Sequence, residues 1–386
     1  MHRIGVVTGT RAEYGLLKPL MQKIEQDSQL ELYLVVTGAH LEQRFGYTCR
    51  EIEADGFRIN WKADMDLSSD TAGGICHSVG KEMEGLAGAF DKAGIDLLIL
   101  LGDRYETLAA ALAASLFHIP VAHIHGGEAT EGAMDDAFRH AITKLSCLHF
   151  AAAEEYKRRI IQMGEQPEQV HNTGAIGVEN IRCMELVGKQ QLAKKFTGLF
   201  LGKYIMVTYH PATLDGRPVQ EQMQELLAVF LENPEYNYIF TYANADHGGV
   251  AVNKMIDRFV KENPNAAAFK SMGQAGYLSA LKGAWAVAGN SSSGIIEAPS
   301  FHIPTIDIGD RQKGRICGES VIHCGSSAQE IRKAFQKAAD PGFRRTCQNC
   351  RNPYEGGNTS VMILEEIKKE LEQGISLRKK FYDMRF

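Results

Sequence analysis

Between residues 102 and 140 the chain reads GDRYETLAAALAASLFHIPVAHIHGGEATEGAMDDAFRH, crowded with groups that titrate or carry charge. Asp103, Arg104 and Glu106 follow the apolar run Leu97–Leu101, and His125 and Glu128 follow Val121–Ile124, which itself contains His123. Gly126 and Gly127 lie between that histidine and glutamate, and Asp135, Asp136, Arg139 and His140 open a helical pattern. Carboxylates and imidazoles are the side chains that exchange protons near neutral pH. Each also has a structural role open to it. Asp135/Arg139 and Asp136/His140 have the i,i+4 spacing of helix ion pairs, an aspartate at a helix start suits the macrodipole, and Asp103 could cap the next helix. Their joint density after two successive apolar runs points to acid–base catalysis.

Three other segments have the makings of anion sites. Thr8-Gly9-Thr10-Arg11-Ala12-Glu13-Tyr14-Gly15 follows the first apolar run. Glycine allows close backbone approach, a helix start attracts an anion, and Arg11 offers a bidentate clamp. A tight turn with a surface arginine is the plainer alternative. The segment is neither G-x-G-x-x-G nor a Walker loop, which argues against a standard dinucleotide or P-loop enzyme. Gly289-Asn290-Ser291-Ser292-Ser293-Gly294-Ile295-Ile296-Glu297 offers successive N–H and hydroxyl donors, a match to a diphosphate, with Glu297 placed to accept from a ribose. Against this, Ser291 or Ser292 could serve only as a helix cap. Gly309-Asp310-Arg311-Gln312-Lys313-Gly314-Arg315 carries three cations, either a solvated face or further diphosphate ligands led by Arg311. Tyr209-His210-Pro211 places a histidine at another strand end, for charge stabilisation or for structure.

Strand-length apolar runs alternate with helix-period segments along the chain, the pattern of parallel sheets covered by helices. The runs are 4–7, 32–36, 97–101, 121–124 and 149–152, then 205–209, 238–242, 284–288 and 305–308. In such sheets ligands bind beyond the carboxyl ends of strands, where the groups above fall. The length of 386 residues suits two domains. We place them at 1–178 and 179–364, with a helix and tail at 365–386 that packs back on the first. No internal repeat or long linker interrupts them.

Bulk properties narrow the partners. A hydrophobic content of 44% with 23% charged residues is that of a soluble globular chain, and a net charge of −5 speaks against nucleic acid or an anionic membrane. No apolar stretch nears the roughly 20 residues of a membrane span, and the N-terminus lacks a signal-peptide core. The eight cysteines are scattered, and Cys347 and Cys350 form a lone C-x-x-C without the further ligands a zinc site needs. Cytoplasm is the expected compartment, with no metal site.

Taken together, TGTRAEYG, GDRYE, HIHGGE, DDAFRHAITK, the His210 strand end, GNSSSGIIE and GDRQKGR resemble the hydrolysing UDP-N-acetylglucosamine 2-epimerases of sialic-acid-type sugar biosynthesis. The likeness runs from Arg3 to about Arg315. It implies an α/β fold of two Rossmann-like doubly wound domains of glycosyltransferase-B type, with the active site in the interdomain cleft. It also implies no metal or nicotinamide cofactor, a UDP-sugar substrate with UDP as product, and a homodimer or homotetramer. By the resemblance, Asp103, Asp135 and His210 match catalytic groups, supported by Arg104 and Arg139. Arg11 would contact the diphosphate or sugar, Ser291 and Ser292 the phosphates, Glu297 the ribose and Arg311 the diphosphate, with His40 near the sugar. The implied reaction eliminates UDP across C1 and C2 to a 2-acetamidoglucal, then adds water with inverted C2. One departure stands out: several members read HIEGGE where this chain reads HIHGGE. The missing acid's role then passes to Glu128 or to the His125 imidazole. The change also admits a variant donor, UDP-2,4-diacetamido-2,4,6-trideoxyglucose on the way to legionaminic acid. A non-hydrolysing epimerase, a glycosyltransferase and a UDP-sugar sensor are the competing readings.

Overall fold

The computed structural model describes residues 1–212, 216–243 and 248–384. The chain divides into two compact units, each built on one fully parallel sheet. The first unit takes Met1–Glu128, Asp135–Asn180 and Tyr354–Phe386, and the second takes Ala129–Met134 and Ile181–Pro353. The last two residues of the expected tail, 385–386, lie outside the described residues.

The first sheet has seven strands: β1 (His2–Thr8), β2 (Leu30–Thr37), β3 (Ile59–Ala63), β4 (Leu97–Leu101), β5 (Val121–Ile124), β6 (Leu148–Ala151) and β7 (Val170–Asn172). They lie in the order β3-β2-β1-β4-β5-β6-β7. The central strands are apolar on both faces, as a sheet covered by helices on both sides requires. In β4, Leu97, Ile99 and Leu101 join one core and Leu98 and Leu100 the other. Each fully buried leucine contributes roughly 2 kcal/mol.

The second sheet has six strands: β8 (Tyr204–Thr208), β9 (Asn237–Thr241), β10 (Ala266–Phe269), β11 (Ala286–Gly289), β12 (Thr305–Ile308) and β13 (Val321–Cys324). Their order is β10-β9-β8-β11-β12-β13, with Ile205 and Val207 in one core and Tyr204 and Met206 in the other. Both units are Rossmann-like. In each, chain order reverses between two central strands, β1 and β4 in one and β8 and β11 in the other. Such a reversal leaves a crevice at the carboxyl ends, where open α/β sheets bind ligands.

Four strands are absent from the apolar runs read in sequence: β3, β7, β10 and β13. All are sheet edges, short and half-exposed, and β10 is built on alanines. The expected boundary at 364 falls inside helix Thr359–Gln373, which lies wholly in the first unit. There Ile363 and Ile367 join the core beneath helix Arg11–Gln26, and Glu179 accepts from the Ser360 amide at 2.7 Å and its hydroxyl at 2.8 Å. An amphipathic helix ends up where its apolar stripe is buried, whatever its place in the chain. No helix among the described residues is long and apolar enough to cross a membrane.

Candidate active site

In the first unit the chemistry gathers beyond β1, β4 and β5. Asp103 follows β4 after Gly102, whose positive φ of 87° turns the chain off the strand. The Asp103 carboxylate pairs with the Arg139 guanidinium, which also bonds Asp136 at 3.1 Å and the Glu128 carbonyl at 2.9 Å. Arg139 is only 1% exposed, so these acceptors compensate a cation removed from water. The helix spacing expected for Asp136 and His140 is present at 3.5 Å. Asp135 opens the helix Asp135–Leu145 at its positive end.

The β5 strand delivers the HIHGGE loop. The His125 amide continues the ladder by donating to the Phe150 carbonyl, and its φ of 66° is left-handed, rare for a side chain this large. That turn carries the chain back so that His125 Nδ1 lies 3.4 Å from Glu128 Oε1, both residues buried. Strain of this kind is held by surrounding structure and tends to mark functional loops. His123 behaves differently. It is fully buried, with Nε2 2.8 Å from the Gly102 carbonyl and Nδ1 3.2 Å from the Thr143 hydroxyl, and burial drops its pKa to about 3. It is a neutral strut beneath the Asp103 turn.

Arg104 and His40 also turn inward. The Arg104 guanidinium clasps Glu106 with Nε at 3.0 and 3.2 Å and a further bond at 3.0 Å. The two imidazole nitrogens of His40 meet the Thr8 and Thr48 hydroxyls at 3.2 and 2.8 Å, and burial lowers its pKa to about 3. Both side chains therefore brace the strand ends. Arg11 is half-buried at the first position of helix Arg11–Gln26, which Thr10 and Glu13 cap reciprocally.

Beside Arg104 lies an acid cluster that sequence reasoning passed over. Glu13 accepts from the Gly9 and Thr10 amides at 2.8 and 3.2 Å, and burial pushes it up to about 7, helped by Glu106 and opposed by Arg104. Burial and the neighbouring Glu106 also drive Glu82, from helix Ala72–Ala93, well above the carboxylate range. Neither Glu82 oxygen makes a normal hydrogen bond among the described residues, although the Thr37 hydroxyl lies close enough to lower the pKa somewhat. The T-x-x-E capping signature was a sequence signal for Glu13; Glu82 had none.

The second unit brings β8 and β11 together. Gly289 ends β11 with φ 133°, and a Cβ there would sit 2.0 Å from the Thr208 carbonyl oxygen. Only glycine fits, and the next residue, Asn290, becomes the hub. Its side chain accepts from the His210 amide at 2.7 Å and donates to the His210 carbonyl at 2.8 Å. Its own carbonyl accepts from Arg311 at 3.1 Å and Gln312 at 2.8 Å. Asn290 thus holds His210 and the cation loop 309–315 in one frame. Its signal was the polar residue directly after a buried strand.

Ser291 caps helix Ser292–Ile296, accepting weakly from the Ser293 amide at 3.4 Å, while Ser293 accepts from the Tyr277 hydroxyl at 2.9 Å. Ser292 opens that helix, half-buried, and Glu297 closes it. Burial raises the Glu297 pKa, and Ser293 and Arg315 pull it back. A protein surface so furnished with N–H groups, hydroxyls and arginines suits a diphosphate.

Residues 22–368 match the UDP-N-acetylglucosamine 2-epimerase family. Over 386 residues the chain is 38% identical to the polysialic acid biosynthesis protein P7 of Escherichia coli, covering 100% of this chain and 98% of that one. It is 37% identical to the GDP/UDP-N,N'-diacetylbacillosamine 2-epimerase (hydrolyzing) of Campylobacter jejuni, covering 99% of each. Among solved structures, MnaA of S. aureus with UDP superposes with a TM-score of 0.80 at 19% identity, over 99% of this chain and 100% of that one. That likeness concerns the fold alone; the family match and the full-length identities decide kinship. The chain belongs to the UDP-N-acetylglucosamine 2-epimerase family.

Proposed function

We propose that the protein is a hydrolysing 2-epimerase that converts UDP-GlcNAc and water to N-acetylmannosamine and UDP. The observation that carries this reading is the acid–base set beyond β4 and β5: Asp103 paired with Arg139, and His125 beside Glu128. Binding alone would need the anion-holding loops of the second unit but not these acids. The name of the relative at 37% identity, which includes the word hydrolyzing, supports the choice of subtype.

In this reading Ser291, Ser292, Arg311 and Arg11 hold the diphosphate and Glu297 accepts from the ribose. The C2 hydrogen is not acidic, so C1–O cleavage runs ahead and builds positive charge at the ring. Asp103 and Asp135 stabilise that charge, while arginines and N–H groups stabilise departing UDP. The C2 proton leaves to a carboxylate or to the His125–Glu128 pair, giving the 2-acetamidoglucal. His210, held by Asn290, steadies charge at the leaving group. Water then adds at C1 as a proton returns to C2 from the opposite face. The free sugar released carries inverted C2.

A time course by NMR in D2O with UDP-GlcNAc tests this. The expected products are UDP and N-acetylmannosamine deuterated at C2. Intact UDP-ManNAc as sole product would indicate the non-hydrolysing reaction, and retention of the C2 hydrogen would favour glycosyl transfer. A second donor is favoured by one observation, the diacetylbacillosamine in the name of the C. jejuni relative. Running UDP-2,4-diacetamido-2,4,6-trideoxyglucose alongside, and comparing kcat/KM, decides between the two.

A further inference from the structure

Residues 129–134 join the second unit although their chain neighbours Glu128 and Asp135 belong to the first. What holds the segment is the cation loop. The Glu131 amide donates to the Lys313 carbonyl at 3.0 Å, and its carboxylate lies 3.6 Å from the Lys313 ammonium. Both charged groups are about 60% exposed, so the ion pair adds little beside the backbone bond. The packing is closer still. A Cβ on Gly132 would stand 2.4 Å from the Asp310 carbonyl oxygen and 2.9 Å from the Arg311 nitrogen, and one on Gly314 would stand 3.2 Å from the Ala129 Cβ. Two backbones touch with no side chain between them.

The cation loop is fixed from its other side. Its turn closes through Lys313 N–H to the Asp310 carbonyl at 3.1 Å, and Arg311 and Gln312 both anchor on the Asn290 carbonyl. Asn290 in turn grips the His210 backbone. One bonded lattice therefore runs from His210 through Asn290 and Asp310–Gly314 to Glu131 and Gly132. Beyond its two ends the chain continues directly into Glu128 and Asp135.

We propose that 129–134 is a tether through which nucleotide on the cation loop sets the acid–base groups, with Gly132 and Glu131 as positioning residues. An anion drawn to Arg311 and the loop amides stiffens 310–314. The tether then loses its freedom to lift off, and the backbone bearing Glu128 and Asp135 is fixed by covalent continuity. Chemistry follows nucleotide binding for that reason. This rests on the assignment of 289–315 to the UDP diphosphate.

Hydrogen exchange by mass spectrometry on the full-length protein, with and without UDP, separates the two ideas. The expected result is slowing of tenfold or more in peptides from both 287–315 and 126–138. Gly132→Ala should keep the first protection and lose the second, because the turn is anchored by Asn290 and the tether must yield. Its kcat should fall tenfold or more while the UDP Kd stays within threefold. Protection of 287–315 alone in the wild type overturns the tether and leaves the nucleotide assignment standing. Protection of neither overturns both. An unchanged kcat in Gly132→Ala also overturns the tether, and if that variant fails to fold the wild-type exchange pattern decides.

Discussion

Asp103 and Asp136 both pair with the buried Arg139, yet only Asp103 stands at the carboxyl end of a central strand. The two can therefore be separated by experiment. Asp103→Asn should cut turnover by about 10² or more, the scale of a lost acid–base group. The UDP affinity should hold within a few-fold, since the candidate diphosphate donors lie chiefly in the second unit. Asp136→Asn removes a comparable ion-pair partner, with its side chain similarly exposed at 29% against 25%. It should cost stability on the order of 1 kcal/mol and keep turnover within tenfold, because Arg139 retains Asp103 and the Glu128 carbonyl. Equal loss in the two variants would make Arg139 pairing, rather than a direct part in the chemistry, the role of Asp103. The carboxylates themselves were legible in the sequence, from type and placement after apolar runs. The Asp136–His140 pair was legible too; the partners of Arg139 were not. The i,i+4 spacing offered Asp135 for Arg139, but no spacing could show that Arg139 also bonds Asp136 and, across 36 residues, Asp103, a contact that exists only once β4 and helix Asp135–Leu145 are packed together.

Three elements meet behind the β1 and β4 ends, and each contributes an acid to an enclosed space. Glu13 comes from helix Arg11–Gln26, Glu82 from Ala72–Ala93 and Glu106 from Tyr105–Leu116, with Arg104 as the cation they share. Burial disfavours their charge and the one guanidinium does not offset the neighbouring Glu106, so Glu13 and Glu82 hold their protons to higher pH. For a carboxyl whose folded pKa is raised, stability is full below the unfolded value and is lost as pH rises through the folded value. For Glu13 that window runs from the ordinary 4.5 up to about 7. Glu82 follows the same direction. Glu82→Gln mimics the protonated acid and should raise Tm at pH 8 by several degrees, on the order of 2 kcal/mol, with the gain shrinking toward pH 5. A Tm difference that does not change between pH 5 and pH 8 would contradict the argument. Sequence pattern marked Glu13 through its cap and Glu106 by its place after an apolar run, but not Glu82, because a glutamate on a long helix reads as surface until its face is known.

At the scale of the whole molecule, the parallel α/β plan was legible because its central strands are buried on both faces and read as unbroken apolar runs. Edge strands escaped notice, being half-exposed, and so did the membership of 129–134, whose sequence neighbours lie in the other unit. The two units have separate cores, and chance has given each one tryptophan. Trp61 lies on β3, 37% exposed, against Gly88 of the neighbouring helix. Trp285 precedes β11, packed on Tyr236 with ring centroids 4.4 Å apart and under the Arg344 guanidinium at 4.1 Å. Trp61→Phe leaves a fluorophore that reports the second unit, and Trp285→Phe one that reports the first. If the loops 289–297 and 309–315 hold the diphosphate, UDP stabilises chiefly the unit that carries them. At one hundred times Kd the stabilisation is about 2.7 kcal/mol, and at roughly 2–4 °C per kcal/mol for a unit of this size the Trp285 transition should rise by about 5–10 °C. The Trp61 transition should move less. A shift confined to Trp61 would put the nucleotide on the first unit and undo the division of labour between acid–base groups and anion loops. Equal shifts in both would show that the units melt as one body, with the bound nucleotide counted in a single cooperative transition.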